Sequence, residues 1–158
     1  MEKTQKIGVQ FQLPQNYDTH FAVLFQNIDT RKYTWHIANS EILCHNEKTK
    51  TIDEFTMDGT YIGEAFEKRI CHTSYHVIAA RIFASPSHCK AEIDDILDYN
   101  SFLCSKFEIA LLCADSYVDF YAKDQRIINY VFHAAKQLSS NSVSFITMEN
   151  DSRTNFYI

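Results

Sequence analysis

The sequence predicts an α+β fold, a largely antiparallel sheet with two to four helices packed mainly on one face. Three observations carry this reading. Apolar residues alternate with a period of two in several short runs, and they recur at helical spacing in others. The strand-like runs also follow one another as hairpins instead of alternating regularly with helices. At 158 residues, with 46% hydrophobic and 22% charged, the chain has the size of one domain. It carries enough apolar surface to bury a core without disulfides. A single domain over 1–158 is the expectation.

Taken in order, Ile7, Val9, Phe11 and Leu13 alternate with Gly8, Gln10 and Gln12, a half-buried strand that Pro14 ends. Tyr17, Phe21, Leu24, Phe25 and Ile28 share a helical face, and Asn16 is the predicted cap. Residues 33–38 and 41–45 read as two strands joined by a tight turn at Asn39-Ser40, and 46–58 as irregular. Ile62, Ala65, Phe66 and Ile70 form a second helical stripe, ending in Lys68 and Arg69 where the helix dipole favours cations. Residues 75–83 are almost continuously apolar, as a central strand covered on both faces would be, with Arg81 the one charged interruption.

Beyond a loop around Pro86, Ile93, Ile96 and Leu97 predict a short helix, with Asn100 or Ser101 capping another turn. The strongest hairpin signal runs from 107–113 through Ala114-Asp115-Ser116 to 117–122. Asp124 then caps a helix burying Ile127, Ile128, Val131, Ala135 and Leu138. Residues 142–148 predict a strand, 149–152 a turn and 153–158 a last strand.

Fifteen Lys and Arg against 20 Asp and Glu give a net charge of -5, which repels nucleic acid and anionic membrane surfaces. Neither is an expected partner. The chain shows neither the apolar stretch of a signal peptide nor a run long enough to span a bilayer. Its five cysteines are odd in number. Reduced thiols and a cytoplasmic location follow as expectations.

Candidate chemistry is sparse. The dipeptides Cys44-His45, Cys71-His72 and His88-Cys89 lack the ligand spacing of a zinc site, and neighbours on a strand point to opposite faces. Cys104 and Cys113 read as core residues, in keeping with how often free cysteine is buried. No phosphate-binding glycine loop, nucleophile elbow or zinc-protease helix occurs. No metal and no cofactor are expected. The turn 149–155 holds Asp151 and Arg153, which a local ion pair explains adequately; a functional reading would make Arg153 a docking group for a carboxylate or phosphate.

The stretch 107–123, the helix from Asp124 and the ending 145–154, with its Asn150-Asp151-Ser152-Arg153-Thr154 motif, resemble a small family of uncharacterised proteins from Bacillus-type bacteria. The N-terminal strand and helix, the strand around Trp35 and Met57-Asp58-Gly59 are similar as well. That family is known only as a domain of unknown function, so the resemblance implies a bacterial origin and no activity, cofactor or catalytic residue.

The functional expectation is a non-enzymatic protein-binding module, of the immunity-protein, inhibitor or mobile-element accessory kind. An acidic chain rich in Tyr and Phe fits a basic protein partner. Its contact candidates are Glu92, Asp94, Asp95 and Asp98, on a helix burying Ile93, Ile96 and Leu97, together with Asp151 and Arg153. The alternative is a small-molecule-binding domain or enzyme built around Arg81, with His76, Asp115, Asp119 or Glu64 beside it, because a charge within an apolar strand needs a partner or marks a cavity.

Overall fold

The computed structural model describes residues 4–72, 74–138 and 142–158. The strands are β1 (Lys6–Gln12), β2 (Tyr33–Asn46), β3 (Thr51–Glu54), β4 (Gly59–Ile62), β5 (Tyr75–Pro86), β6 (Ile109–Ala114), β7 (Tyr117–Ala122) and β8 (Ser144–Thr147). The helices are α1 (His20–Leu24), α2 (Gly63–Cys71), α3 (Tyr99–Cys104) and α4 (Gln125–Leu138). All eight strands join one antiparallel sheet in the order β3-β2-β5-β6-β7-β1-β8, and β4 pairs with the first half of β2 on the same edge as β3. The expected α+β class is the observed one.

Two apolar clusters lie on opposite faces of this sheet. The first takes Val9, Trp35, Ile82, Leu111 and Phe120 from the strands, and α1, α2 and α4 cover it with Phe21, Phe66 and Val131. Trp35 stacks on Phe66 at 4.0 Å and 7°, while its indole Nε1 donates to the Thr30 carbonyl at 2.9 Å, so the ring is buried with its polar atom satisfied. The second, smaller cluster holds Phe83, Leu112 and Tyr121 under Phe102 of α3, Phe107 and Phe156. Burial of β5 on both faces over residues 80–85 explains its unbroken apolar run.

Two glycines are fixed by close approach. A Cβ at Gly8 would run into the Phe120 carbonyl oxygen, and one at Gly63 into the Thr30 carbonyl and the Arg31 backbone, where α2 begins against a 3₁₀ turn, Thr30–Lys32. Gly8 also sits at a bulge between β1 and β8.

The structure departs from the expected elements at identifiable places. Helix α1 has five residues and starts after Thr19, not Asn16, because Asp18 exchanges both backbone hydrogen bonds with Tyr75 and holds 16–18 against the sheet. Residues 33–46 are one long strand, not a hairpin. Asn39 does adopt a left-handed φ of 52°, but it forms a bulge opposite β5 and the strand continues. The segment read as irregular contains β3 and β4. Ile62 is 68% exposed and lies ahead of α2, outside its buried stripe. No strand forms over 153–158, which is an irregular segment folded across the second face.

The hairpin β6–β7 matches its signal closely. Its loop is the two residues Asp115 and Ser116, with φ of 51° and 65°, the pattern of a type I′ turn. Helix α4 also follows its stripe, with Asp124 Oδ1 accepting from the Arg126 backbone N–H at 2.8 Å.

Candidate functional site

The second face of the sheet divides into three zones, which locate Arg81, His76 and Asp119. Cross-strand register sets His36, Phe83, Ala110, Tyr121, Gly8 and Ile146 in one row. This row is the floor of the smaller apolar cluster. The next row is polar: Ala38, Arg81, Leu112, Asp119, Gln10 and Ser144. Beyond it lies a zone made by Glu41, Leu43 and His45 of β2, Ile52 and Glu54 of β3, and His76 and Ile78 of β5.

In the polar row Arg81 is 8% exposed. Its Nε donates to the Phe156 carbonyl at 3.0 Å and its Nη1 to Asn39 Oδ1 at 3.4 Å, between the rings of Phe83 and Tyr157. Asp115, Asp119, His76 and Glu64 are not its hydrogen-bond partners, and among the described residues no carboxylate lies within ion-pairing reach. The expected companions are replaced by neutral oxygens of the C-terminal segment and the bulge. Burial pulls the guanidinium below its ordinary range, opposed by Tyr157 and by the more distant charge of Asp94.

Arg153 does form an ion pair, but with Asp119 at 2.8 Å and not with Asp151. It also donates to the carbonyls of Asn155 and Tyr157, and Gln10 donates to the other oxygen of Asp119 at 3.0 Å. Asp151 accepts from the Tyr121 hydroxyl at 3.0 Å and from the Arg153 backbone N–H at 3.1 Å. The Tyr121 hydroxyl is held well above the usual phenol range, by burial first and then by the charges of Asp151 and Asp119. Both C-terminal candidates therefore have structural partners.

The acidic stretch is not the expected amphipathic helix. Only a 3₁₀ turn, Ile93–Asp95, forms there; Ile96 is buried, Ile93 partly so, and Leu97 is 51% exposed. Asp98, with Ser101 reciprocating, makes a capping box for α3, so neither Asn100 nor Ser101 is the cap. Glu92, Asp94 and Asp95 are exposed. Glu92 and Asp95, with Lys90, Ile96, Cys104 and Phe107, line a cleft of about 510 Å³. Cys104 is exposed at the end of α3, not in the core. Cys113 is buried as expected, and burial pushes its thiol up to about 12.

The third zone is the one that sequence reasoning missed. Neither apolar cluster takes in its residues. Ile52 is 57% exposed, His45 is exposed, and Leu43, His76 and Ile78 are half-buried. Tyr17 lies over it, its ring 4.0 Å from that of His45 and 5.6 Å from that of His76. His76, expected beside Arg81, is in this zone. The sequence signal was the alternation of Leu43, His45 and Ile52 about a polar turn at 46–50, which shows a shared face only once β3 is recognised as a strand.

The geometry defines a class: an antiparallel α+β protein with three helices over one sheet face, a smaller cluster covering part of the other and, among the described residues, no cluster of three or more His, Cys, Asp or Glu able to hold a metal. No helix among them is long and apolar enough to cross a membrane. The chain belongs to the family described as protein of unknown function, DUF2691, which it matches over residues 6–157. It is similar to the uncharacterized protein YncE of Bacillus subtilis (strain 168), 28% identical over 152 residues, covering 96% of this chain and 98% of that protein. No solved structure matches it.

Proposed function

We propose that the chain is a non-enzymatic protein-binding module, an accessory, inhibitor or immunity-type protein working in the cytoplasm on another protein and not on nucleic acid or membrane. The observation that carries this reading is the uncovered third zone of the second face. A sheet face that leaves Ile52, Leu43, Ile78 and Tyr17 partly in water has the mixed apolar and aromatic character of a contact surface. The exposed acids Glu92, Asp94 and Asp95 lie apart from it and would steer association more than bind.

A photocrosslinking residue placed at Ile52, in Bacillus-type cells carrying the chain, tests the reading. One discrete protein adduct is expected, absent when the same residue replaces exposed Lys136 on α4 and lost in a Leu43→Glu background. No adduct from Ile52, or equal adducts from both positions, would overturn the proposal.

One observation favours a second reading, an anion-binding site for a small molecule at Arg81. Its buried guanidinium meets only neutral oxygens, and a carboxylate or phosphate would be the stronger partner. A melting temperature unmoved by millimolar carboxylates and phosphates, in the parent chain as in Arg81→Gln, would remove it.

A further inference from the structure

We infer that the occupant of the uncovered zone is a basic segment of a partner protein, recognised by Glu41 and Glu54. The inference rests on the protein-binding reading and adds the chemical class of the partner. Register places both carboxylates on this face: Glu41 opposite Ala79, and Glu54 opposite Leu43, which itself faces His76. Both glutamates are exposed, and neither forms an ion pair among the described residues. The strand residues that build the zone include no lysine or arginine. Arg81 of the neighbouring row is buried, and the exposed Lys48 and Lys50 lie past the end of the zone, in the turn that joins β2 to β3.

The strand residues of the zone therefore make an apolar and aromatic floor with Tyr17, Leu43, Ile52 and Ile78, whose acids are Glu41 and Glu54. Charge complementarity decides among occupants. Nucleic acid and anionic lipid would be repelled by both the face and the net charge of -5. A second copy meeting this face with its own would set Glu41 and Glu54 of each against like charges, an arrangement that destabilises an interface. A segment with Lys or Arg between aliphatic side chains satisfies the floor and the carboxylates together, and a cation over the Tyr17 ring would gain further.

The test uses the full chain and two short synthetic peptides, one alternating Lys and Leu, the other Glu and Leu, followed by methyl NMR and calorimetry. The Lys-Leu peptide is expected to shift the methyl signals of Leu43, Ile52 and Ile78. Glu41→Gln with Glu54→Gln should weaken its binding about tenfold at low salt, while Asp94→Asn with Asp95→Asn, the same change in net charge elsewhere, should weaken it less than about twofold. If the double glutamate variant folds poorly, Glu54→Gln alone should still weaken binding more than Asp94→Asn alone. Equal losses in the two pairs would reduce the effect to general attraction by an acidic chain and overturn the proposal. So would equal binding of the Glu-Leu peptide, silent methyls on this face, or a concentration-dependent dimer abolished by Leu43→Glu. An adduct from Ile52 in cells alongside an inert Lys-Leu peptide would sink the basic partner and leave protein binding standing; no adduct would sink both.

Discussion

Arg153 and Asp119 join the C-terminal segment to the middle of the sheet, Nε to Oδ2 at 2.8 Å, with side chains only 20% and 16% exposed. Removing one partner of such a pair leaves the other poorly solvated. Arg153→Met should therefore lower stability by about 2–4 kcal/mol, read from urea unfolding. It should also speed hydrogen exchange at the Phe156 amide, which donates to the Leu97 carbonyl at 2.8 Å. A loss below about 0.5 kcal/mol would mean that Phe156 alone, packed on Phe102 and Tyr121, holds the segment.

His20 should make the fold acid-sensitive. It is 2% exposed, its Nε2 lies 3.2 Å from the Asn16 carbonyl, and its Nδ1 is buried without a partner. Burial lowers its pKa from the ordinary 6.5, against the opposing pull of Asn16 and Asp18 and with a small addition from His76. A histidine depressed in the folded state binds its proton first in the unfolded chain. Stability is then full above about 6.5, falls as pH drops below it, and levels once the folded pKa is passed. Burial lowers His36 with the same sign. His20→Gln should shrink the difference between urea midpoints at pH 7 and pH 5; an unchanged difference would assign the acid limb elsewhere.

Gly8→Ala should cost about 2–4 kcal/mol, since the added methyl meets the Phe120 carbonyl across the β1–β7 pairing. Thermal unfolding would register a drop of about 5–15 °C if the strands must separate. A drop under about 2 °C would show that β1 can shift to make room.

The thiols should react in order of access. Cys71 and Cys104 are exposed, Cys44 and Cys89 intermediate, and Cys113 is buried with its pKa raised to about 12. Alkylation followed by mass spectrometry should label Cys71 and Cys104 first and Cys113 only on unfolding. Early labelling of Cys113 would contradict the tight packing of β6.

What was legible in the sequence was whatever local pattern decides. The β6–β7 hairpin carries its own turn chemistry, and α4 has a full stripe behind a capping Asp124, so both were readable without their neighbours. Asn39 was not. A left-handed Asn serves a tight turn and a bulge equally, and the choice depends on β5 lying alongside. Short β3 and β4 exist because β2 is long enough to pair with both, a fact about partners and not about residues 51–62. The acidic stretch misled because Ile93, Ile96 and Leu97 fit a helix, yet Asp98 starts α3 so close behind that one 3₁₀ turn is all that forms. The third zone of the second face was invisible for a related reason: its residues come from three strands and a loop, and only register shows that they share a side.

The placing of β1 between β7 and β8 governs how the molecule is made. Gln10 and its hydrogen-bonded neighbour Asp119 are 109 residues apart, and the other flank of β1 is filled by β8, later still. At about 5–20 residues per second, a ribosome needs about 5–20 s to deliver that first partner. Through that interval the alternating Ile7, Val9 and Phe11 remain an unpaired edge, while β2, β3, β4 and β5 can already associate. Nascent chains should therefore rely on a chaperone, or on rapid synthesis, most heavily before residue 117 emerges, and slow codons placed ahead of β7 should raise aggregation more than the same codons placed after it.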